Sequence, residues 1–167
     1  MAYYGLETEE YLKAAINPRS TRGRPVPAAI SQEDADLILE HINDIVSKKG
    51  IAESTAKVTA TYLVMFSRLC PNLATITTKD VKNHIRAANK TLAQNTRRRY
   101  ITVLKRFLIW LIKKGHNSSL NLEEIEEIKA PGIDLKDRTA ERMLSGPEVK
   151  AMILSAKNSR DRAIMAM

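Results

Sequence analysis

Residues 95–115 read NTRRRYITVLKRFLIWLIKKG, and the fold turns on how this stretch is wound. Wound as an α-helix at about 100° per residue with Tyr100 at zero, it gathers Leu104, Phe107, Leu108 and Leu111 within about 80°, as a buried seam. Arg98, Arg99, Thr102, Lys105, Arg106 and Lys113 fall on the arc from about 140° to 260°. One face is core and the opposite face is cationic. The spacing predicts a helix from about Thr96 to Lys114, stopped by Gly115. Its first turn, with Thr96 and Arg97, offers unpaired backbone N–H groups and the positive dipole end to a phosphate.

Other helical patterns lie on both sides. Ser31 opens a helix with Asp34 as its capping partner, and Ala35, Ile38, Leu39, Ile42, Ile45 and Val46 share one face up to Lys48, Lys49 and Gly50. A second helix starts near Ser54, with Val58, Tyr62, Leu63, Phe66 and Leu69 as its seam, and Pro71 ends it. Thr77 caps a third, with Asp80 in its first turn and Val81, Ile85 and Ala88 inward. The acidic piece NLEEIEEIK precedes Pro131 and Gly132 and reads as a solvated helix surface. Residues 1–30 hold a short helical candidate around Glu9–Ile16 and then NPRSTRGRPVPAA, which reads as a mobile basic arm or linker. Beyond a charged linker, Ser145 and Glu148 form a capping box around Pro147. A last helix begins near Ser159 and runs out in RDRAIMAM, where the pattern breaks off without a cap; a truncated second module is expected.

The charge is localised. The chain carries 27 Lys and Arg against 19 Asp and Glu, a net charge of +8. Residues 79–116 alone hold eleven Lys and Arg against the single Asp80, while residues 31–53 and 117–141 each sum to −4. A solvated helix face is the plain reading of such a cluster. Against it, no acids sit at i,i+4 as partners, and arginine, which bonds phosphate or guanine bidentately, leads the group. Each cation placed on a DNA phosphate releases a counterion, so the patch points to a polyanion.

Several classes fall away. One cysteine, Cys70, excludes an internal disulfide framework and fits a reducing compartment, with a buried structural thiol as the simplest role. Lys and Arg interrupt every apolar run and no secretory leader precedes them, so a cytoplasmic chain without membrane contact is expected. His41, His84 and His116 sit on different helices without metal-ligand spacing and suggest surface or local roles. Trp110 flanks the seam as a core-edge residue. No glycine-rich phosphate loop, nucleophile elbow or HExxH is present. Neither a metal, a cofactor nor a small-molecule substrate is expected.

With the helices in order, the chain resembles the tyrosine recombinase (phage integrase) family over residues 31–167. Thr55, Thr59, Leu63 and Phe66 resemble a T-x-x-x-Y-x-x-x-L-x-x-F pattern with threonine in place of tyrosine. Residues 76–81, ITTKDV, resemble the entry to the family's third helix, and Thr96, Arg99, Leu104, Phe107 and Trp110 resemble its fourth. Leu144, Ser145, Glu148, Val149, Arg160, Asp161, Arg162 and Ala163 resemble the opening of the catalytic domain. NLEEIEEIKAP departs from the family's Asn-Pro at the bundle exit.

The resemblance implies an all-α, four- to five-helix SAM-like core-binding bundle at 31–130, a linker at 131–143 and the start of a truncated catalytic domain at 144–167; residues 1–30, a basic N-terminal arm or extension, have no counterpart in it. It further implies double-stranded DNA as partner, self-association on DNA within a longer recombinase, and no catalytic residue in this chain, since the first catalytic arginine would follow Met167. The candidate DNA-binding residues are Ser54, Lys57, Lys82, Arg86, Thr96, Arg97, Arg98, Arg99, Thr102, Lys105 and Arg106. Two rival expectations stand beside this one: a helical protein–protein adaptor whose basic face meets an acidic partner, and a complete small enzyme, which lacks any catalytic constellation.

Overall fold

The computed structural model describes residues 6–19, 25–132 and 145–155, with the backbone alone at Leu6, Met152 and Ile153. Every regular element among them is an α-helix: α1 (Leu6–Ile16), α2 (Gln32–Lys49), α3 (Glu53–Leu69), α4 (Thr78–Thr91), α5 (Gln94–Lys113), α6 (Leu122–Glu126) and α7 (Gly146–Ser155). The chain divides into a unit of residues 1–132 and a second unit from Ile133 onward. None of the described helices is long and apolar enough to cross a membrane.

Local chemistry explains the helix ends. The Ser31 hydroxyl accepts from the Asp34 N–H, and Gly50 closes α2 in the left-handed region at φ 57°, where a side chain would be strained. Thr77 and Asp80 form a reciprocal capping box on α4. The same device starts α7, where the Ser145 N–H and hydroxyl both donate to Glu148. These bonds to the ionised form hold the Asp80 and Glu148 carboxyls below their usual range. The expected helix near Ser159 and most of the 131–143 linker lie outside the described residues.

In the first unit, α3 packs against α1, α2 and α5, while α5 also takes α4 and α6. This central position changes the α3 seam from the expected one. Ala56, Ala60, Leu63, Val64 and Phe66 are buried, whereas Val58 is 48% and Leu69 65% exposed. Two alanines let α1 and α2 approach closely, so the buried face rotates toward them. On α5 the expected seam holds: Tyr100, Leu104, Phe107, Leu108 and Leu111 are all buried. Ile101 and Trp110 join it, because α6 covers one flank of the seam and α2 the other.

The expected short helix near Glu9–Ile16 is present as α1, and it packs into the core. Leu12 and Ala15 of α1 are core residues, and the Ile30 N–H donates to the Ala15 carbonyl at 3.2 Å. α1 and Ile30 therefore belong to the bundle, while residues 20–24 of the expected basic arm lie outside the described residues. The core-facing positions of α1 are few and small, which is why periodicity alone left it outside the bundle.

Two buried polar side chains tie the connections together. Asp34, 1% exposed, does not complete the Ser31 cap with its carboxylate. It accepts instead from the Ser67 hydroxyl at 2.7 Å, the Leu73 N–H at 2.8 Å and the Asn72 N–H at 3.2 Å. Asn117 donates to the carbonyls of Leu73 and Ile76 and accepts from the Ser119 and Leu120 N–H groups. Together they fix the α3–α4 turn, where Asn72 sits at φ 63°.

His41 and His84 are core residues rather than surface ones. His84 pairs with the buried Tyr100 hydroxyl, and burial pushes the Tyr100 phenol above its usual range. Burial also pulls His41 down to about 4 from 6.5, with Asp44 opposing the shift weakly. Below pH 6.5 the unfolded chain binds a proton at His41 that the folded chain refuses until near pH 4. Stability is therefore complete above pH 6.5 and falls as pH drops through that window. At about 1.4 kcal/mol per pH unit, the loss by pH 5 is about 2 kcal/mol. His84, also lowered by burial, acts in the same direction. Urea denaturation at pH 7 and pH 5 tests this: equal stability at the two values would contradict it, and His41→Phe is expected to flatten the difference.

Candidate nucleic-acid interface

The basic residues occupy two different situations. A groove of about 470 Å³ runs between the start of α3 and the first half of α5, lined by Ser54, Thr55, Tyr62, Arg98, Arg99 and Thr102, with Val58 exposed within it. Ser54 and the arginines are thus brought together from segments more than forty residues apart. Arg98, Arg99 and Arg106 are exposed, and none makes an ion pair among the described residues. Thr96 is exposed one turn earlier on the same helix. The Thr102 hydroxyl donates to the Arg98 carbonyl within α5, which leaves its oxygen able to accept. Neither Ala93 nor Ala52 supplies a side-chain cap, so the first N–H groups of α5 and α3 have no side-chain partner at those positions.

Four other candidates have partners within the protein, which the sequence reading did not foresee. Lys105 donates to the Glu126 carbonyl and, at 3.1 Å, to the Ile128 carbonyl, so it satisfies the C-terminal end of α6. Lys82 pairs with Glu124 of α6. Arg97 donates to the Asn89 carbonyl at 2.8 Å in the last turn of α4. Lys57 pairs with Glu7 at 3.2 Å, both ends solvent-exposed, which is a weak contact. Helix ends with unpaired carbonyls attract cations, and a wheel drawn for one helix does not see the end of another. Arg86 is exposed on α4 and does not line the groove.

The acidic α6 is accordingly not a bare solvated surface. Its Ile125 is buried against α5, and Glu124 faces Lys82. Cys70 is half-buried at the end of α3, with its thiol raised mainly by burial. The groove residues that sequence reasoning passed over are Thr55, Val58, Thr59, Tyr62 and Val103. The i,i+4 spacing of Ser54, Val58 and Tyr62 was the available signal, masked because Val58 and Tyr62 also fit an apolar seam.

Among the described residues, no group of three or more His, Cys, Asp or Glu side chains is placed to hold a metal ion. The groove offers arginine donors, hydroxyls and a small apolar contact, a set suited to phosphate oxygens and the edge of a nucleic acid. Comparison of the chain with protein-family models, curated proteins and solved structures finds no match in any of the three.

Proposed function

We propose that the first unit grips double-stranded DNA through the α3–α5 groove, as the binding portion of a tyrosine-type site-specific recombinase that carries its chemistry elsewhere. The observation that carries the reading is the convergence of Ser54, Arg98, Arg99 and Thr102 on one groove, with no carboxylate among its lining residues. Arg106 extends the cationic face along α5. In this reading the arginines neutralise phosphates, the hydroxyls fix the register, and Val58 meets the apolar part of the groove floor. The recombinase assignment rests on the order and spacing of the sequence segments, and the DNA assignment on charge and geometry.

Salt dependence is the test. Three to five phosphate contacts predict a slope of about −3 to −4.5 for log affinity against log salt, a loss of roughly 40- to 500-fold between 50 and 200 mM. Duplex binding with a slope near zero would contradict the proposal. Binding to poly-glutamate without binding to duplex at 50 mM salt would favour an acidic protein partner instead.

A further inference from the structure

Ala56, Ala60, Leu63 and Val64 of α3 fill the core, but Val58 of the same helix is 48% exposed. A lone exposed valine is ordinary in a folded protein. This one has company, since Tyr62 and Val103, both half-buried, line the same groove as Val58. The groove thus joins an apolar trio to Arg98, Arg99 and the hydroxyls of Ser54 and Thr102, with no carboxylate in its lining. The other large apolar side chains exposed among the described residues, Val26, Leu69 and Leu154, lie outside it.

Two properties suit Val58 to reading a partner rather than merely holding it. Its β-branched side chain has one strongly preferred rotamer in a helix, so a contact costs little side-chain entropy. It also carries no donor or acceptor, so a polar group pressed against it loses water and gains no hydrogen bond. Tyr62, one turn on, is braced edge-on against the buried Tyr100 at 5.7 Å, which steadies the groove wall.

We infer that Val58 is a specificity-determining residue that selects thymine by packing on its 5-methyl group. The role rests on the DNA reading of the groove. An α-helix such as α3 fits the major groove and not the minor one, and the apolar group on the base edges there is the thymine methyl. Cytosine presents an amino group, and the purines present acceptors and the amino group of adenine, each of which Val58 would strip of water. The arginines and hydroxyls meet phosphates alike at every sequence, so the preference falls to the apolar trio.

Duplexes that the full chain enriches from a random library of roughly 20 base pairs at about 50 mM salt supply the probe. Each thymine of an enriched duplex is replaced singly by deoxyuridine, which removes the methyl and keeps the pairing. At the thymine under Val58 the expected loss of affinity is about fourfold, the worth of one buried methyl-sized group. Val58→Ala is expected to bind the thymine duplex severalfold more weakly and to lose its response to uracil at that position. Its salt slope stays that of the parent, since no phosphate contact is lost. Val58 is exposed, so the variant is also expected to keep the parent's urea midpoint. The inference is overturned if duplex binds without enrichment of any sequence, or if no thymine responds to uracil, which leaves the valine against sugars or solvent. A thymine that still responds in Val58→Ala also overturns it and assigns the contact to another side chain. Absence of any duplex binding at that salt is a separate result, which overturns the DNA reading together with this one.

Discussion

Replacing Asp34 with alanine is expected to destabilise the first unit by about 3–5 kcal/mol, read as a lower midpoint in urea denaturation. The carboxylate is buried and accepts from one hydroxyl and two backbone N–H groups. Its removal strands all three donors where water has little access. Charge-assisted bonds contribute roughly 1.5–3 kcal/mol each, and partial rearrangement keeps the total below their sum. Asp34→Asn keeps the shape but presents an amide N–H to donors, so it recovers less than half the loss. Ser67→Ala, which removes one donor along with its need, is expected to lose only about 1 kcal/mol. A loss below 1 kcal/mol in Asp34→Ala would show that the α3–α4 turn does not depend on this tie.

The largest effect on binding is expected from Arg98→Gln, Arg99→Gln and Arg106→Gln combined. Three lost phosphate contacts lower the salt slope by about 2.7 and weaken duplex affinity by at least about 100-fold at 50 mM salt. The three side chains are exposed and make no ion pair among the described residues, so thermal stability is expected to stay within a few degrees of the parent. Lys105→Met supplies the contrast. That lysine is bound to the Glu126 and Ile128 carbonyls, so its loss is expected to lower stability and leave the slope unchanged. A slope that responds to Lys105→Met as strongly as to the arginines would mean that the α6 contact opens when DNA arrives.

The contrast between Arg98 and Lys105 also shows what the sequence could carry. Helix existence, the α5 seam and the Ser31 and Thr77 caps follow from local spacing, and the structure has them. Caps and amphipathic stripes are short-range properties of the chain. The tie of Asp34 to Leu73, the bonds of Asn117 to Leu73 and Ile76 and the capture of Lys105 by α6 join residues far apart in sequence. No periodicity announces such pairings. The α3 seam was misplaced for a related reason: a helix touched on three sides buries small residues that a hydrophobicity pattern passes over, and exposes Val58.

The start of α1 lies beside the start of α3, joined through Glu7 and Lys57, and Ser54 sits one turn from that lysine. A purification handle joined on the N-terminal side of α1 would therefore be tethered within reach of the arginine groove. A polyhistidine tag left there would add its own titrating charge to every gel-shift or anisotropy curve, so cleaving it belongs before the first affinity is measured.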